Sequence, residues 1–237
     1  MTPQSNLITD AESEQDVEDI PLLPPCDLYS DELEMESDLH LRQMVLLISC
    51  LEWLWRDRTD YFVGGNLTVY YSQKRIKTRE FRGPDFFVVQ GVEPRSRKSW
   101  TVWEEDGRYP DVIVEILSES TAEVDRTTKK ELYQNTFRTL EYFWFDPESL
   151  EFTGFSLNRS GYQPIQPNPQ GQLWSEQLQL FLGVHQDKLR FFAPTGELVP
   201  TPEEAALFEQ QQRLAAEQRA ERLAAKLREL NIDPDSL

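Results

Sequence analysis

The stretch YPDVIVEILSEST, residues 109–121, contains an apolar run that is broken by a single carboxylate, Glu115. The run is apolar on both faces of an extended chain, which is typical of a strand covered on both sides at the centre of an α/β sheet. A carboxylate in such a strand loses its hydration, and this is costly unless a cation, a metal or hydrogen-bond donors compensate it. The pattern therefore predicts that another part of the chain supplies a partner for Glu115.

Two further carboxylates begin strands near Glu115. Asp85 opens the predicted strand 85–92, and Asp111 opens the predicted strand 111–118, which contains Glu115. Side chains four residues apart in a strand point to the same face, so Asp111 and Glu115 share a face. If the two strands are neighbours, Asp85 also comes near Glu115. Carboxylates this close repel one another unless a hard cation lies between them, and Mg²⁺ or Mn²⁺ favours such an oxygen site.

The segment that follows the buried strand supplies a positive charge. Ser120 and Glu123, three residues apart, form a capping box, which predicts a helix that runs to about Phe137. At about 100° per residue, Lys129 falls on the inward, apolar face of this helix. The alternative is a surface ion pair between Asp125 and Lys129, which is common at this spacing on helices. The inward position behind a buried carboxylate strand favours a functional role for Lys129.

The chain divides into three predicted parts. Residues 1–30 lack periodicity and are rich in acidic residues, serine and proline, which predicts a disordered acidic arm. Residues 31–200 alternate between helix and strand patterns, which predicts an α/β domain. Its elements are a helix from about Asp38 to Arg56, a turn at 64–66 before a strand at 67–72, the two strands named above, and a hairpin of strands 140–147 and 150–158.

Residues 201–237 form a predicted helical tail, which is rich in strong helix formers and has Pro202 at a natural helix start. Apolar residues alternate at spacings of four and three, as in a coiled-coil seam: Ala216, Ala220, Leu223, Leu227 and Leu230. The seam covers about two heptads, so two interpretations stay open. The tail either pairs with a second copy in a homodimer or packs as a single helix on its own domain.

The formal net charge of −18 argues against a nucleic-acid partner only until its distribution is considered. Residues 1–40 hold twelve of the 42 acidic residues and no Lys or Arg, which leaves 30 acidic against 24 basic residues in the rest. A local phosphate-binding surface is compatible with such a balance. The alternative is a solvated hairpin on an acidic protein. Eight basic residues form what we term the basic strip: Lys74, Arg75, Lys77, Arg79, Arg82, Arg95, Arg97 and Lys98.

The cellular location of the protein is predicted from the segments that its sequence does not contain. The longest apolar run, Met44 to Trp55, includes Glu52 and is too short to span a bilayer. Residues 1–20 are acidic and contain no apolar stretch of the secretory type. Cys26 and Cys50 provide neither a disulfide framework nor zinc-site spacing. We therefore expect a soluble, cytoplasmic protein with no membrane partner.

Several strings together resemble a known family. Pro-Asp at 84–85, PDVIVEILSEST at 110–121, DRTTKKELY at 125–133 and LEYFWFDP at 140–147 resemble the Uma-type restriction endonuclease family, formerly a domain of unknown function. That family belongs to the PD-(D/E)xK nuclease superfamily. The superfamily places a lysine two residues after the strand acid, whereas this strand has Leu117 there; in the Uma-type pattern the lysine moves to the next helix, four residues before a tyrosine.

The resemblance implies a restriction-endonuclease-like fold, with a mixed sheet flanked by helices, and hydrolysis of DNA phosphodiester bonds. By position, Asp85 and Glu115 would hold Mg²⁺ or Mn²⁺, and Lys129 would orient or activate the attacking water. Asp111 is either a further metal ligand or a cap for the entry of its strand. The string Phe137-Arg138-Thr139 departs from the glycine-containing turn that the family has there.

The sequence therefore leaves two functions open. The leading one is a metal-dependent DNA endonuclease whose basic strip contacts backbone phosphates and contributes little sequence information. The acidic arm could occupy that strip as a DNA mimic. The alternative is a catalytically silent nuclease-like domain used for binding or assembly, in which the arm and the helical tail are the working parts.

Overall fold

The computed structural model describes residues 37–72, 81–118 and 122–230. The predicted arm, Ser120 and four residues of the basic strip (Lys74, Arg75, Lys77 and Arg79) lie outside the described residues. Ser37 caps the first helix, where its side chain accepts a hydrogen bond from the His40 amide over 3.1 Å. This cap explains why the helix begins at Asp38, as the sequence pattern predicts.

Within the described residues the chain forms three long helices, one short 3₁₀ helix (Val102–Glu104) and twelve strands. The helices are α1 (Asp38–Leu54), α2 (residues 122–137) and α3 (Pro202–Glu229). The strands are β1 (Tyr61–Gly65), β2 (Val69–Tyr70), β3 (Phe81–Arg82), β4 (Phe86–Gln90), β5 (Trp100–Thr101), β6 (Val112–Ile116), β7 (Glu141–Phe145), β8 (Phe152–Asn158), β9 (Gly161–Pro164), β10 (Leu173–Ser175), β11 (Leu180–His185) and β12 (Lys188–Phe192).

The main sheet has six strands in the order β1-β4-β6-β7-β8-β9. Strands β6 and β7 are parallel and are joined through α2, whereas the other neighbours are antiparallel. All five residues of β6 are buried, as expected of a strand covered on both faces. The prediction of a mixed α/β fold with flanking helices is confirmed. Two smaller sheets have the orders β10-β11-β12 and β3-β2-β5.

Alternate residues of β6 belong to two separate hydrophobic clusters. Val112 and Val114 pack with α1 and with the β10-β11-β12 sheet, through residues such as Leu47 and Leu182. Ile113 packs on the other face with α2 and the small β3-β2-β5 sheet. Because side chains alternate along a strand, Glu115 shares the face of Ile113 and is directed toward α2.

The turn predicted at 64–66 is wrong in its position, because Gly64 and Gly65 are the last residues of β1 and only Asn66, with a positive φ of 46°, lies outside that strand. The predicted strand 67–72 is shorter than expected, Val69–Tyr70, and it does not pair with β1. Strand β1 pairs with β4, and β2 pairs with β3 and β5. Gly64 lies opposite Phe87 in this pairing, and a Cβ atom on Gly64 would lie 2.4 Å from the phenyl ring. The missing side chain lets the ring cover the backbone, which favours β4 as the partner of β1.

Helix α3 starts with a capping box between Thr201 and Glu204, with Pro202 in its first turn. The buried guanidinium of Arg190 in β12 donates to Glu204 over 2.6 Å and thereby holds the first turn of the helix. None of the 28 residues of α3 is buried, and Leu223 is 55% exposed. Packing on its own domain is therefore limited to the start of the tail. No helix in the described ranges has the length and apolar character that crossing a membrane requires.

Candidate active site

Glu115 is completely buried near the carboxyl end of β6, and its partners come from two other elements. Its Oε1 atom accepts a hydrogen bond from the Tyr133 hydroxyl over 2.6 Å. Its Oε2 atom accepts one from the Lys129 ammonium over 3.2 Å and makes a longer contact of 3.4 Å with the Asp85 amide. Lys129 and Tyr133 belong to α2, and Asp85 immediately precedes β4. The predicted partner of Glu115 therefore comes mainly from α2.

Asp85 is held between the main sheet and α1. Its Oδ2 atom accepts a hydrogen bond from the Ile116 amide over 2.7 Å, which ties the start of β4 to the end of β6. Its Oδ1 atom lies 2.8 Å from His40 Nε2, on the first turn of α1. Asp85 and Glu115 thus lie beside each other because β4 and β6 are antiparallel neighbours.

Lys129 is shared between two buried carboxylates. Its ammonium lies 2.7 Å from Asp125 and 3.2 Å from Glu115. Asp125 is 1% exposed, so the ion pair within the helix exists but is buried rather than at the surface. The structure thus combines the two arrangements predicted for Lys129, an inward position and an ion pair with Asp125.

The winding of α2 explains why three of its side chains reach one site. Residues four apart on an α-helix are offset by about 40°, because a turn takes 3.6 residues. Helix α2 alternates between α-helical turns and wider π-helical turns, the latter at Asp125–Lys129 and Tyr133–Phe137. A π-helical turn winds less per residue, so it compensates the drift and brings Asp125, Lys129 and Tyr133 to the same side. Such π turns occur frequently at functional sites.

Burial, and then the neighbouring charges, shift the pKa values of the cluster. Burial raises the pKa of Glu115 well above its usual value; Lys129 opposes this shift, whereas Asp85 and Asp125 add to it. Burial alone would lower the pKa of Lys129, but the three carboxylates outweigh it and raise the pKa above the usual lysine value. Lys129 therefore remains an ammonium at neutral pH.

The pKa of Asp85 shifts in the opposite direction from that of Glu115, because His40 binds the Asp85 carboxylate. Burial alone would raise the pKa of the Asp85 carboxyl. The hydrogen bond from His40, and the charges of His40 and Lys129, outweigh burial and hold the pKa below its usual value. Asp85 therefore stays ionised at neutral pH.

The donor set fits a hard divalent cation. Three buried carboxylates face one ammonium and one imidazole, and the excess negative charge favours an added cation. Mg²⁺ commonly binds one or two carboxylates and keeps several waters, so Asp85 and Glu115 suffice as protein ligands. In the described part of the chain, no group of three or more His, Cys, Asp or Glu residues is arranged so that it could hold a metal ion. The fit is therefore to an open site with two protein ligands.

Asp111, the third predicted ligand, is not brought to this cluster. Its carboxylate accepts a hydrogen bond from the Gln90 amide over 2.7 Å, at the opposite end of β6. Four residues of extended strand separate it from Glu115 by about 13 Å. Asp111 thus holds the entry of β6 against the end of β4, which was the other role predicted for it.

The described residues of the basic strip do not form one free phosphate-binding surface. Arg95 and Arg97 both donate to Glu105, with the shortest distance 2.6 Å in each case. The Arg97 side chain is 2% exposed and lies over the rings of Phe62 and Trp100. A guanidinium that is already paired and stacked is not available to DNA. Arg82 donates to the Phe81 carbonyl, and Lys98 is exposed.

Sequence reasoning missed His40 as a site residue and assigned Asp125 only to a surface ion pair. His40 lies 45 residues before Asp85, and a lone histidine in the first turn of an amphipathic helix is a weak signal. Asp125 could have been found from its spacing, because Asp125, Lys129 and Tyr133 recur every four residues. Only the fold reveals that all of them surround the same two carboxylates.

Comparisons with known proteins place the chain in a family. The family model that matches is Uma2, described as "Putative restriction endonuclease", and it matches residues 26–187. A crystal structure of a "putative nuclease belonging to DUF820" from Anabaena variabilis ATCC 29413 is similar, with a TM-score of 0.45 and 14% sequence identity. That match covers 61% of this chain and 75% of the other. The search of curated proteins found no match. Because the family model spans most of the chain, including Asp85, Glu115 and Lys129, the protein belongs to the Uma2 family.

Proposed function

We propose that the protein is a metal-dependent endonuclease that hydrolyses phosphodiester bonds in DNA. Membership of a family described as restriction endonucleases supports the nuclease class. The observation that carries the proposal is the convergence of Asp85, Glu115 and Lys129, in which the Lys129 ammonium lies 3.2 Å from the buried Glu115 carboxylate. Two carboxylates on neighbouring strands and a lysine from the adjacent helix are the groups that this hydrolysis needs.

Asp85 and Glu115 would hold Mg²⁺ or Mn²⁺, which neutralises charge on the phosphate and lowers the pKa of bound water. Tyr133 fixes the orientation of Glu115 through its hydrogen bond to Oε1. Lys129 is held by Asp125 and stays protonated, so it can orient the attacking water and stabilise negative charge that develops on the phosphate. Because an ammonium with a raised pKa does not readily give up its proton, we assign Lys129 an electrostatic role rather than that of a general base.

The proposed DNA contacts include only some residues of the basic strip. Arg95 and Arg97 are committed to Glu105, and we assign them to holding their loop. The remaining proposed phosphate contacts are Lys74, Arg75, Lys77, Arg79, Arg82 and Lys98. Lysine and arginine side chains that bind phosphates add affinity that falls with salt and carry little sequence information.

Nicking of supercoiled plasmid tests the proposal. We expect cleavage by the wild-type protein with Mg²⁺ or Mn²⁺ and none with EDTA. Glu115→Ala and Asp85→Asn should each reduce the rate by at least about 100-fold, and Lys129→Met by about 100-fold, because each removes charge at the reacting centre. Asp111→Asn is the matched control: it alters an acid on the same strand as Glu115, and it should retain cleavage. Equal cleavage by the wild type and Glu115→Ala would contradict the proposal.

One observation favours the alternative of a catalytically silent domain. Each carboxylate oxygen of Asp85 and Glu115 already has a protein partner, so the cluster is satisfied without a metal. The silent domain predicts no cleavage with any divalent ion, and unchanged stability when Mn²⁺ is added. Because Asp125 would remain beside Lys129 in a Glu115→Gln variant, the melting temperature of that variant does not separate the two functions. The cleavage assay and the response to metal do.

A further inference from the structure

His40 reaches the site from the opposite layer of the fold. Helix α1 packs on the face of the main sheet that carries Val112 and Val114, whereas α2 covers the face that carries Glu115. His40 is in the first turn of α1, where Ser37 caps its amide. From there its Nε2 atom comes within 2.8 Å of Asp85 Oδ1, just before β4 begins.

The two oxygens of Asp85 are therefore anchored on different elements. Oδ2 accepts from the Ile116 backbone amide, and Oδ1 is bound by His40. Two anchors define the plane of the carboxylate, whereas one anchor leaves it free to rotate. His40 is 8% exposed and Asp85 is 9% exposed, so water has little access to replace the imidazole.

We propose that His40 is a positioning residue, which holds the Asp85 carboxylate in the orientation that binds a divalent cation. The inference rests on the proposed function, because it assigns Asp85 the same metal. His40 acts through Asp85 and does not itself contact the substrate. A residue that orients a metal-binding carboxylate typically changes metal affinity by about 10- to 100-fold.

Binding of Mn²⁺ alone to the full chain, followed by isothermal titration calorimetry, tests the inference without any nuclease assay. His40→Leu removes the donor, and we expect the dissociation constant to rise by about 10- to 100-fold. His40→Gln places an amide donor at about the position of Nε2, and it should restore affinity to within a few-fold of the wild type. His40→Asn is too short to reach Asp85 and should behave like His40→Leu, so it replaces that variant if His40→Leu does not fold.

Gln43→Leu is the matched structural control. Gln43 is also a buried polar residue of α1, and its amide bonds the Leu189 backbone over 2.9 and 3.0 Å. Its loss should loosen α1 against β12 without changing Mn²⁺ affinity. An equal loss of affinity in Gln43→Leu and His40→Leu would assign the effect to loosening of α1 and overturn the inference.

The direction in which His40→Leu changes the Mn²⁺ affinity provides a second check. Equal or tighter Mn²⁺ binding by His40→Leu would overturn the inference, because the imidazole would then be idle or would compete with the metal for Oδ1. The variant Asp85→Asn distinguishes a failure of the inference about His40 from a failure of the proposed function. If the wild type binds Mn²⁺, Asp85→Asn does not, and His40→Leu binds as the wild type does, only the role of His40 is wrong. If the wild type binds no Mn²⁺, both are wrong.

Discussion

Glu115 lies in a strand whose five residues are all buried, and burial raises the pKa of its carboxyl well above the ordinary value of 4.5. The folded state therefore binds this proton more tightly than the unfolded chain does. The resulting contribution to stability is fully present below pH 4.5 and is lost as the pH rises through the folded-state pKa. Once ionised, Glu115 depends on Lys129 and Tyr133 for compensation, and Lys129 is also paired with Asp125.

This arrangement predicts opposite effects for two substitutions in the metal-free protein at pH 7. Glu115→Gln removes one of three carboxylates and leaves Lys129 paired with Asp125, so the free energy of unfolding should be unchanged or higher by about 1 kcal/mol. Lys129→Met leaves buried carboxylates without their cation and should cost about 3–5 kcal/mol. Urea denaturation measures both.

The pH dependence of the same measurement supplies the control. Wild-type stability should decline as the pH rises above 4.5 by more than the stability of Glu115→Gln does, because only the wild type has the raised pKa of Glu115. A large loss of stability in Glu115→Gln at pH 7 would show that Glu115, rather than Asp125, is the main partner of Lys129.

Helix α2 illustrates how an element positions the site. Its π-helical turns direct Asp125, Lys129 and Tyr133 toward β6, and its end is defined by Arg138. Arg138 adopts the left-handed conformation, with φ 57° and ψ 31°, and donates its amide to the Tyr133 carbonyl. Glycine is the residue that most often ends a helix in this conformation. Arginine at this position satisfies the same geometry at a conformational cost.

The left-handed conformation of Arg138 therefore predicts a stabilising substitution. Arg138 is exposed, so Arg138→Gly should relieve the left-handed strain and raise the free energy of unfolding by up to about 1 kcal/mol. Arg159→Gly is the control, because Arg159 is also exposed in a turn but has no positive φ, and it should be neutral or slightly destabilising. Chemical denaturation of both variants checks this, and a loss of stability in Arg138→Gly would indicate that its side chain makes a stabilising contact.

At the scale of the whole molecule, the site lies where two layers meet at the ends of β4 and β6, which are interior strands of the main sheet. Helix α1 contributes His40 from one layer and α2 contributes Lys129 from the other, while β4 and β6 supply the carboxylates. Helix α3 is attached at its first turn and then extends for most of its 28 residues without a buried side chain. A helix of this kind gains little from its own domain, so its apolar seam remains a predicted contact with a second copy.

The seam predicts that the full chain is a dimer and that a chain ending at residue 201 is a monomer. Light scattering coupled to size-exclusion chromatography measures both masses directly. Leu223→Glu with Leu227→Glu places charge in the seam and should also give a monomer. The matched control is Glu221→Gln, which lies on the same helix outside the seam and should not change the mass. A monomeric full chain at high micromolar concentration would contradict this prediction.

The sequence by itself determined the elements that carry the site, α1, β4, β6 and α2, and the chemistry of the site's central residues. A carboxylate inside an apolar run, a lysine on the apolar face of the next helix and an aspartate at the start of a strand were enough to predict that Asp85, Glu115 and Lys129 come together. These signals are local, because strand alternation and helical periodicity depend on neighbouring residues. Tertiary structure alone decided which strand pairs with β1, that Asp111 binds the Gln90 amide rather than joining the cluster, and that Arg97 is buried against Glu105. It also brought His40 to Asp85 across 45 residues. These outcomes depend on the packing of distant segments, for which the local pattern carries no signal.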